Sequence, residues 1–175
     1  MITFEGLGLD SKLIQATEAL GFKNPTPIQE KAIPVLISGT KDLVGLAQTG
    51  TGKTAAFGLP LLQLVESKDR FPQALIVCPT RELCMQIVNE IELFKKFVIG
   101  MNVLAVYGGT PIGSQIRELK RGVQIVVATP GRLLDLMNQR HVRLDGIELF
   151  VLDEADRMLD MGFIHDVKKI IAQLP

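Results

Sequence analysis

The chain has 175 residues, a length that suits one domain with its own hydrophobic core and no need of a disulfide or metal staple. With 47% hydrophobic and 22% charged residues the composition is globular, which excludes disordered and collagen-like classes, and no run of ~18 apolar residues marks a membrane span. Nineteen basic residues balance nineteen acidic ones, which argues against a whole-surface electrostatic grip on nucleic acid but leaves room for a local basic face.

Residues 1–5 (MITFE) have neither the basic start nor the apolar run of a secretory leader. Leu13, Ile14, Thr17 and Leu20 recur at three- and four-residue steps and predict a helix capped by Gly21. Thr26-Pro27 with Glu30 close behind predicts the next helix start, an N-cap hydroxyl followed by proline in the first turn. Residues 43–47 (LVGLA) read as the first strand, with a glycine-rich turn after it and a helix from Ala55. Further strands are expected at 74–78, 103–107, 125–128 and 149–152. Leu83, Cys84, Ile87, Val88, Ile91 and Phe94 form one face of a helix over 81–97, and Ile164, Val167, Ile170, Ile171 and Leu174 begin a last one. That pattern is still running at Pro175, which reads as a boundary inside a longer chain.

Most of the strand runs lack polar alternation, as strands buried on both faces of a parallel sheet do. Strands alternating with helices predict an α/β fold, a mostly parallel sheet with helices on both faces. Cys78 and Cys84 are too few for a zinc site or a disulfide framework and read as small core residues of a reduced, cytoplasmic protein.

Residues 47–54 (AQTGTGKT) join the first predicted strand to a helix, the context of a phosphate-binding loop. Gly50 and Gly52 let the backbone turn its N–H groups inward, and the following helix N-terminus adds partial positive charge. Lys53 would reach the β- and γ-phosphates, and the Thr54 hydroxyl would ligate Mg²⁺. The strict pattern begins with glycine; here Ala47 stands in that place. Such a loop needs a carboxylate at a strand end and a group to orient water. Asp153, closing the run 149–152, is the candidate for the metal, and Glu154 for the proton of the attacking water. An acidic helix N-terminus alone would also explain residues 153–156.

Asp153-Glu154-Ala155-Asp156 spells the signature of the DEAD-box ATP-dependent RNA helicases, and the chain resembles that family along essentially its whole length. Residues 21–29 (GFKNPTPIQ) resemble its adenine-reading Q motif, with Phe4 as the upstream aromatic residue. Residues 79–83 (PTREL), Gly108-Gly109 and 129–132 (TPGR) resemble its RNA-contacting motifs, and 157–163 (RMLDMGF) continue the pattern; Ala47 is the family's residue in the phosphate loop. The resemblance implies a RecA-like P-loop fold for residues 1–175, with the Q motif at about 1–30. It implies ATP and Mg²⁺ as cofactors, with Phe22, Pro27, Gln29, Gln48, Thr49, Gly50, Thr51, Gly52, Lys53 and Thr54 at the nucleotide. Lys53, Asp153 and Glu154 are the implied catalytic residues, and Thr54 and Asp153 the metal ligands. Gln29 offers an amide able to pair with adenine, whereas Phe4 and Phe22 suit either the base or the core equally.

Pro79, Thr80, Arg81, Gly108, Gly109, Thr129, Pro130, Gly131 and Arg132 are implied to meet the RNA sugar-phosphate backbone, without sequence preference. Arg81 and Glu82 suit bracing these loops as well as touching RNA. The expected partners are RNA and a second RecA-like domain of the same polypeptide, beyond a Ser-Ala-Thr motif that Asp156 would meet; no membrane is expected, and the fragment is expected to be monomeric. Alone, residues 1–175 are expected to bind nucleotide weakly and to turn it over barely. The basic pairs Lys95-Lys96, Lys120-Arg121 and Lys168-Lys169 read as solvated helix faces.

Overall fold

The computed structural model describes residues 1–175, and its contacts group into two compact units. One comprises Met1–Val65 with Asn89–Ile99 and is helical. After a 3-10 turn at Glu5–Leu7 come α1 (Ser11–Ala19), α2 (Pro27–Ser38) and α3 (Lys53–Leu64). Gly21 (φ 77°) ends α1 as expected: its N–H bonds Glu18 O and that of Phe22 bonds Thr17 O, satisfying two terminal carbonyls. Pro27 opens α2 behind Thr26, again as expected. Leu13, Ile33, Leu59 and Ile91 are the most deeply buried apolar side chains of this unit, and Gly58 lets the Phe94 ring lie 3.4 Å from where a Cβ would stand.

The other unit comprises Glu66–Val88 and Gly100–Pro175. Its strands are β1 (Ala74–Val77), β2 (Val103–Val106), β3 (Ile125–Ala128) and β4 (Leu149–Leu152). They pair in the order β2-β3-β1-β4, every pair parallel, with Ile76 opposite Val127 and Val151. Helices α5 (Ile112–Arg121), α6 (Pro130–Asn138), α7 (Ala155–Asp160) and α8 (Ile164–Ile171) complete it, while α4 (Arg81–Phe94) begins here and ends in the first unit. Leu75, Val77, Val126 and Ala128 face a core closed by Leu133 and Leu136 of α6 and by Val167 and Ile170 of α8. Over the other face, the Cys84 thiol of α4 donates to Val127 O at 3.0 Å. Four-residue strands carry only two side chains per face, so this double burial, rather than strand length, holds the sheet together.

Three expectations change. Residues 43–47 form no ladder: Val44 is 88% and Leu46 93% exposed, and no strand edge pairs with them. An apolar run marks a segment able to pair, but only Val44 here has a strong strand preference, and an isolated extended segment gains nothing until another strand takes its N–H and C=O groups. The strand half of the strand–loop–helix unit is therefore absent, while the loop and helix stand. Burial on both faces holds for the central β1 and β3 only; the edge strands β2 and β4 are partly exposed, since each has a neighbour on one side. Two helices are also shorter than their periodicity suggested, α4 ending at Phe94 and α8 at Ile171.

Candidate functional site

In the helical unit the loop 48–52 turns through two left-handed glycines, Gly50 (φ 77°) and Gly52 (φ 83°), into the first turn of α3. The first bond of α3 runs from Ala56 N to Gly52 O, so the amides of Lys53, Thr54 and Ala55 precede the helical ladder. Helix α3 thus begins two residues before the expected Ala55, which puts Lys53 and Thr54, both partly exposed, in its first turn. Gln48 and Thr49 are exposed, and the Thr51 hydroxyl closes the loop by donating to Gln48 O at 2.6 Å. Free amides, a dipole's positive end and a lysine suit a polyphosphate.

Gln29 is buried, 3% exposed, with both heteroatoms of its amide engaged. Its Oε1 accepts from Thr26 N at 3.0 Å, and its Nε2 donates to Gly52 O at 3.1 Å. The adenine-reading candidate and the phosphate loop are thereby tied by one side chain. A Cβ on Gly52 would stand 2.4 Å from Gln29 Nε2 and 3.2 Å from Thr26 Oγ1, so only glycine fits there. Thr26 and Gln29 form a capping box at the start of α2, the Thr26 side chain facing the Gln29 backbone N–H while the Gln29 side chain takes the Thr26 N–H. Pro27 is exposed at the start of α2. Phe4 is 5% exposed and belongs to the core, whereas Phe22 is 37% exposed with its ring 6.3 Å from those of Phe4 and Phe94.

In the sheet unit every remaining candidate follows the carboxyl end of a strand, where open α/β sheets bind ligands. Asp153 N donates to Val77 O at 2.9 Å and extends the β1–β4 ladder by one residue. Its Oδ1 accepts from Glu154 N at 3.1 Å. Glu154 has left-handed geometry (φ 53°, ψ 49°), an uncommon state for a residue with a Cβ, and its Oε2 pairs with Arg157 Nη1 at 3.1 Å. Asp156 is exposed in the first turn of α7. Beside this corner, a hydrogen bond with Cys84, burial and the Asp153 charge push the Cys78 thiol well above its ordinary range.

The loops after β1, β2 and β3 form one bonded cluster. Thr80 Oγ1 accepts from Leu83 N at 3.2 Å and caps α4, while Pro79 is buried. Arg81 is exposed, its guanidinium 4.9 Å from the centre of the Tyr107 ring and beside left-handed Gly109. Thr129 N donates to Val106 O at 2.9 Å; Pro130 then opens α6, with Gly131 exposed. Arg132 donates to Thr110 O at 3.0 Å and to Gln115 Oε1 at 3.3 Å. Gly108 is open, and Glu82 is exposed. Arg81 and Arg132 therefore brace neighbouring loops as well as presenting charge.

Gln115 is the residue that motif reading missed. It is 5% exposed, accepts from Arg132, and donates to Tyr107 O at 3.0 Å and Thr110 Oγ1 at 3.3 Å. A signal existed: Ile112, Gln115, Ile116 and Leu119 stand at i, i+3, i+4 and i+7, so an amide occupies an apolar slot. Among the described residues no group of three or more His, Cys, Asp or Glu forms a metal cluster, and no helix is long and apolar enough to cross a membrane.

Comparison with known proteins bears directly on this arrangement. Residues 26–175 match the family model "DEAD/DEAH box helicase". The chain is 52% identical over its whole length to ATP-dependent RNA helicase CshA of Listeria monocytogenes, of which it covers 33%. It is 49% identical over 99% of its length to ATP-dependent RNA helicase DeaD of Escherichia coli, of which it covers 27%. It superposes with a TM-score of 0.95 on the crystal structure of a DEAD box protein from the hyperthermophile Methanococcus jannaschii, at 42% identity, covering all of this chain and 47% of that one. The chain thus spans a third or less of the length of these curated relatives. On the match of its family model and the fold it shares, this chain belongs to the DEAD/DEAH box helicase family.

Proposed function

We propose that residues 1–175 form the N-terminal ATP- and RNA-binding domain of an ATP-dependent RNA helicase, with residues about 1–30 reading adenine and a second RecA-like domain following in the same polypeptide. The observation that carries this reading is the bond from Gln29 Nε2 to Gly52 O, which makes one unit of the base-reading segment and the phosphate loop. The named activity of the relatives supports the same assignment.

On this reading the amides after Gly52 and the Lys53 ammonium receive the β- and γ-phosphates of ATP. Because the Gln29 amide is held by Thr26 N and Gly52 O, adenine meets an amide whose orientation is set by the phosphate loop. Phe22 offers an exposed ring edge to the base. Thr54 and Asp153 each offer an oxygen donor of the kind Mg²⁺ takes, and the ion when bound neutralises charge on the transferred phosphoryl group. Arg157 holds Glu154 Oε2 and leaves Oε1 to accept the proton of the water that attacks the γ-phosphorus, ADP departing on the opposite side. Thr80, Arg81, Gly108, Gly109, Thr129, Gly131 and Arg132 meet the RNA backbone, which accounts for binding by a protein without net charge. RNA as substrate and reduced thiols accord with a cytoplasmic setting.

Calorimetric titration of the 175-residue chain with ATP and GTP tests the nucleotide half. Lys53→Ala should weaken ATP about tenfold or more, the worth of a charge-assisted hydrogen bond. Gln29→Ala should narrow the ATP/GTP ratio. Unchanged ATP affinity in Lys53→Ala refutes the phosphate assignment. ATP turnover by the full-length protein should rise more with RNA than with DNA of the same sequence, and equal stimulation refutes the RNA assignment.

A further inference from the structure

At the amino ends of the strands, opposite the motif loops, the sheet unit holds a cavity of about 510 Å³ lined by Arg70, Phe71, Arg140, His141, Arg143 and Gly146 among others. Its size falls in the ordinary range of ligand pockets. Arg143 is neutralised by Asp145, Nη2 to Oδ2 at 2.5 Å, whereas Arg70 and Arg140 take part in none of the ion pairs. Two arginines outside every ion pair therefore line one cavity.

The wall is built stiffly. The Gln124 amide, 2% exposed, donates to Ser67 O and Asp69 O and pins the segment leading to Arg70. The Arg70 stem rests on Gly122, whose Cβ would stand 3.0 Å from Arg70 Cβ. The Phe71 ring lies on Gly146, where a Cβ would come within 2.6 Å of the ring, yet Phe71 remains 48% exposed. One edge of this ring is thus held by backbone while the rest is open. Arg140 stands at φ 60° just past the end of α6, with Arg140 N on Met137 O and His141 N on Leu136 O. Glycine or asparagine is the usual residue in that helix-ending geometry. Here an arginine holds that strained position, and it lines the cavity.

We propose that this cavity is a second nucleic-acid contact, taking one nucleotide unit of single-stranded RNA with its base against Phe71 and its phosphate between Arg70 and Arg140. An open aromatic ring beside free arginines is the chemistry by which single strands are held irrespective of sequence. An acidic peptide would satisfy the arginines but leave the ring without a planar partner. This rests on the RNA reading above, and the site lies apart from the motif loops, at the other end of strands ~13 Å long.

Amide spectra of the ¹⁵N-labelled 175-residue chain, titrated with decauridylate, UMP and hexaglutamate, test it. Decauridylate should shift the amides of Phe71, His141 and Gly146 saturably. Phe71→Leu, which keeps the apolar packing, should weaken that response about fivefold or more. Arg70→Ala and Arg140→Asn, the latter suited to left-handed backbone, should each lower the slope of log affinity against log salt by about one. Shifts at residues 79–82 and 129–132 without shifts at these three amides overturn this proposal and leave the proposed function standing. Silence at both places overturns both. Saturation of the same amides by UMP at lower concentration than by decauridylate assigns the cavity to a free nucleotide and overturns the RNA assignment. An equal response to hexaglutamate, indifferent to Phe71→Leu, assigns it to an acidic peptide and does the same.

Discussion

Replacing Gly52 by alanine separates backbone strain from collision, because Gly50 provides an internal control. Both glycines are left-handed, at φ 83° and 77°, so alanine at either costs ~1–2 kcal/mol of conformational strain. At Gly50 nothing lies within 4 Å of the added Cβ, and strain is the whole effect. At Gly52 the Cβ meets Gln29 Nε2 at 2.4 Å, and that amide has to leave. Gln29 is 3% exposed, so its departure forfeits the bonds to Gly52 O and Thr26 N where water does not replace them. Each is worth ~1 kcal/mol net and more where a partner is left unsatisfied, which brings Gly52→Ala to ~3–5 kcal/mol. Urea unfolding followed by far-ultraviolet circular dichroism, compared at constant m, measures both variants. In a Gln29→Ala background the 2.4 Å collision is gone and only the 3.2 Å approach to Thr26 Oγ1 is left for a small shift to relieve, so Gly52→Ala should fall back toward ~1–2 kcal/mol, a coupling of about 1.5 kcal/mol. Equal costs at Gly50 and Gly52, or no relief from Gln29→Ala, would refute the reasoning.

Three other outcomes follow from the geometry. Gln115→Leu should destabilise the chain by ~2–3 kcal/mol and weaken RNA binding, because Arg132, Tyr107 O and Thr110 lose a shared buried partner; an unchanged melting curve rules out the bracing role. Glu154→Gln in the full-length protein should retain ATP binding and lose turnover, as measured by phosphate release, while Glu154→Gly should unfold no more easily than the parent because glycine relieves the left-handed strain. Cys78 should resist iodoacetamide at pH 8 in the folded chain and react on addition of urea, since burial and its bond with Cys84 hold it as the neutral thiol; rapid alkylation without denaturant, read by peptide mass, contradicts this.

The sequence by itself determined whatever is decided among near neighbours along the chain. Gly21 ends a helix because its own φ and two nearby amides suffice, and Pro27 behind Thr26 starts one for equally local reasons. The runs at 74–77, 103–106, 125–128 and 149–152 are strands as their composition demands, and the motif loops follow them. Tertiary structure decided what needs a partner far away. Residues 43–47 have the composition of a strand, but no edge pairs with them. The Gln29 amide is engaged 23 residues away at Gly52, and Arg132 is engaged 17 residues away at Gln115. Composition says that an amide can give and take hydrogen bonds; only packing decides which groups are close enough to take them, and here it joined Gln29 to the phosphate loop and Arg132 to Gln115 of α5.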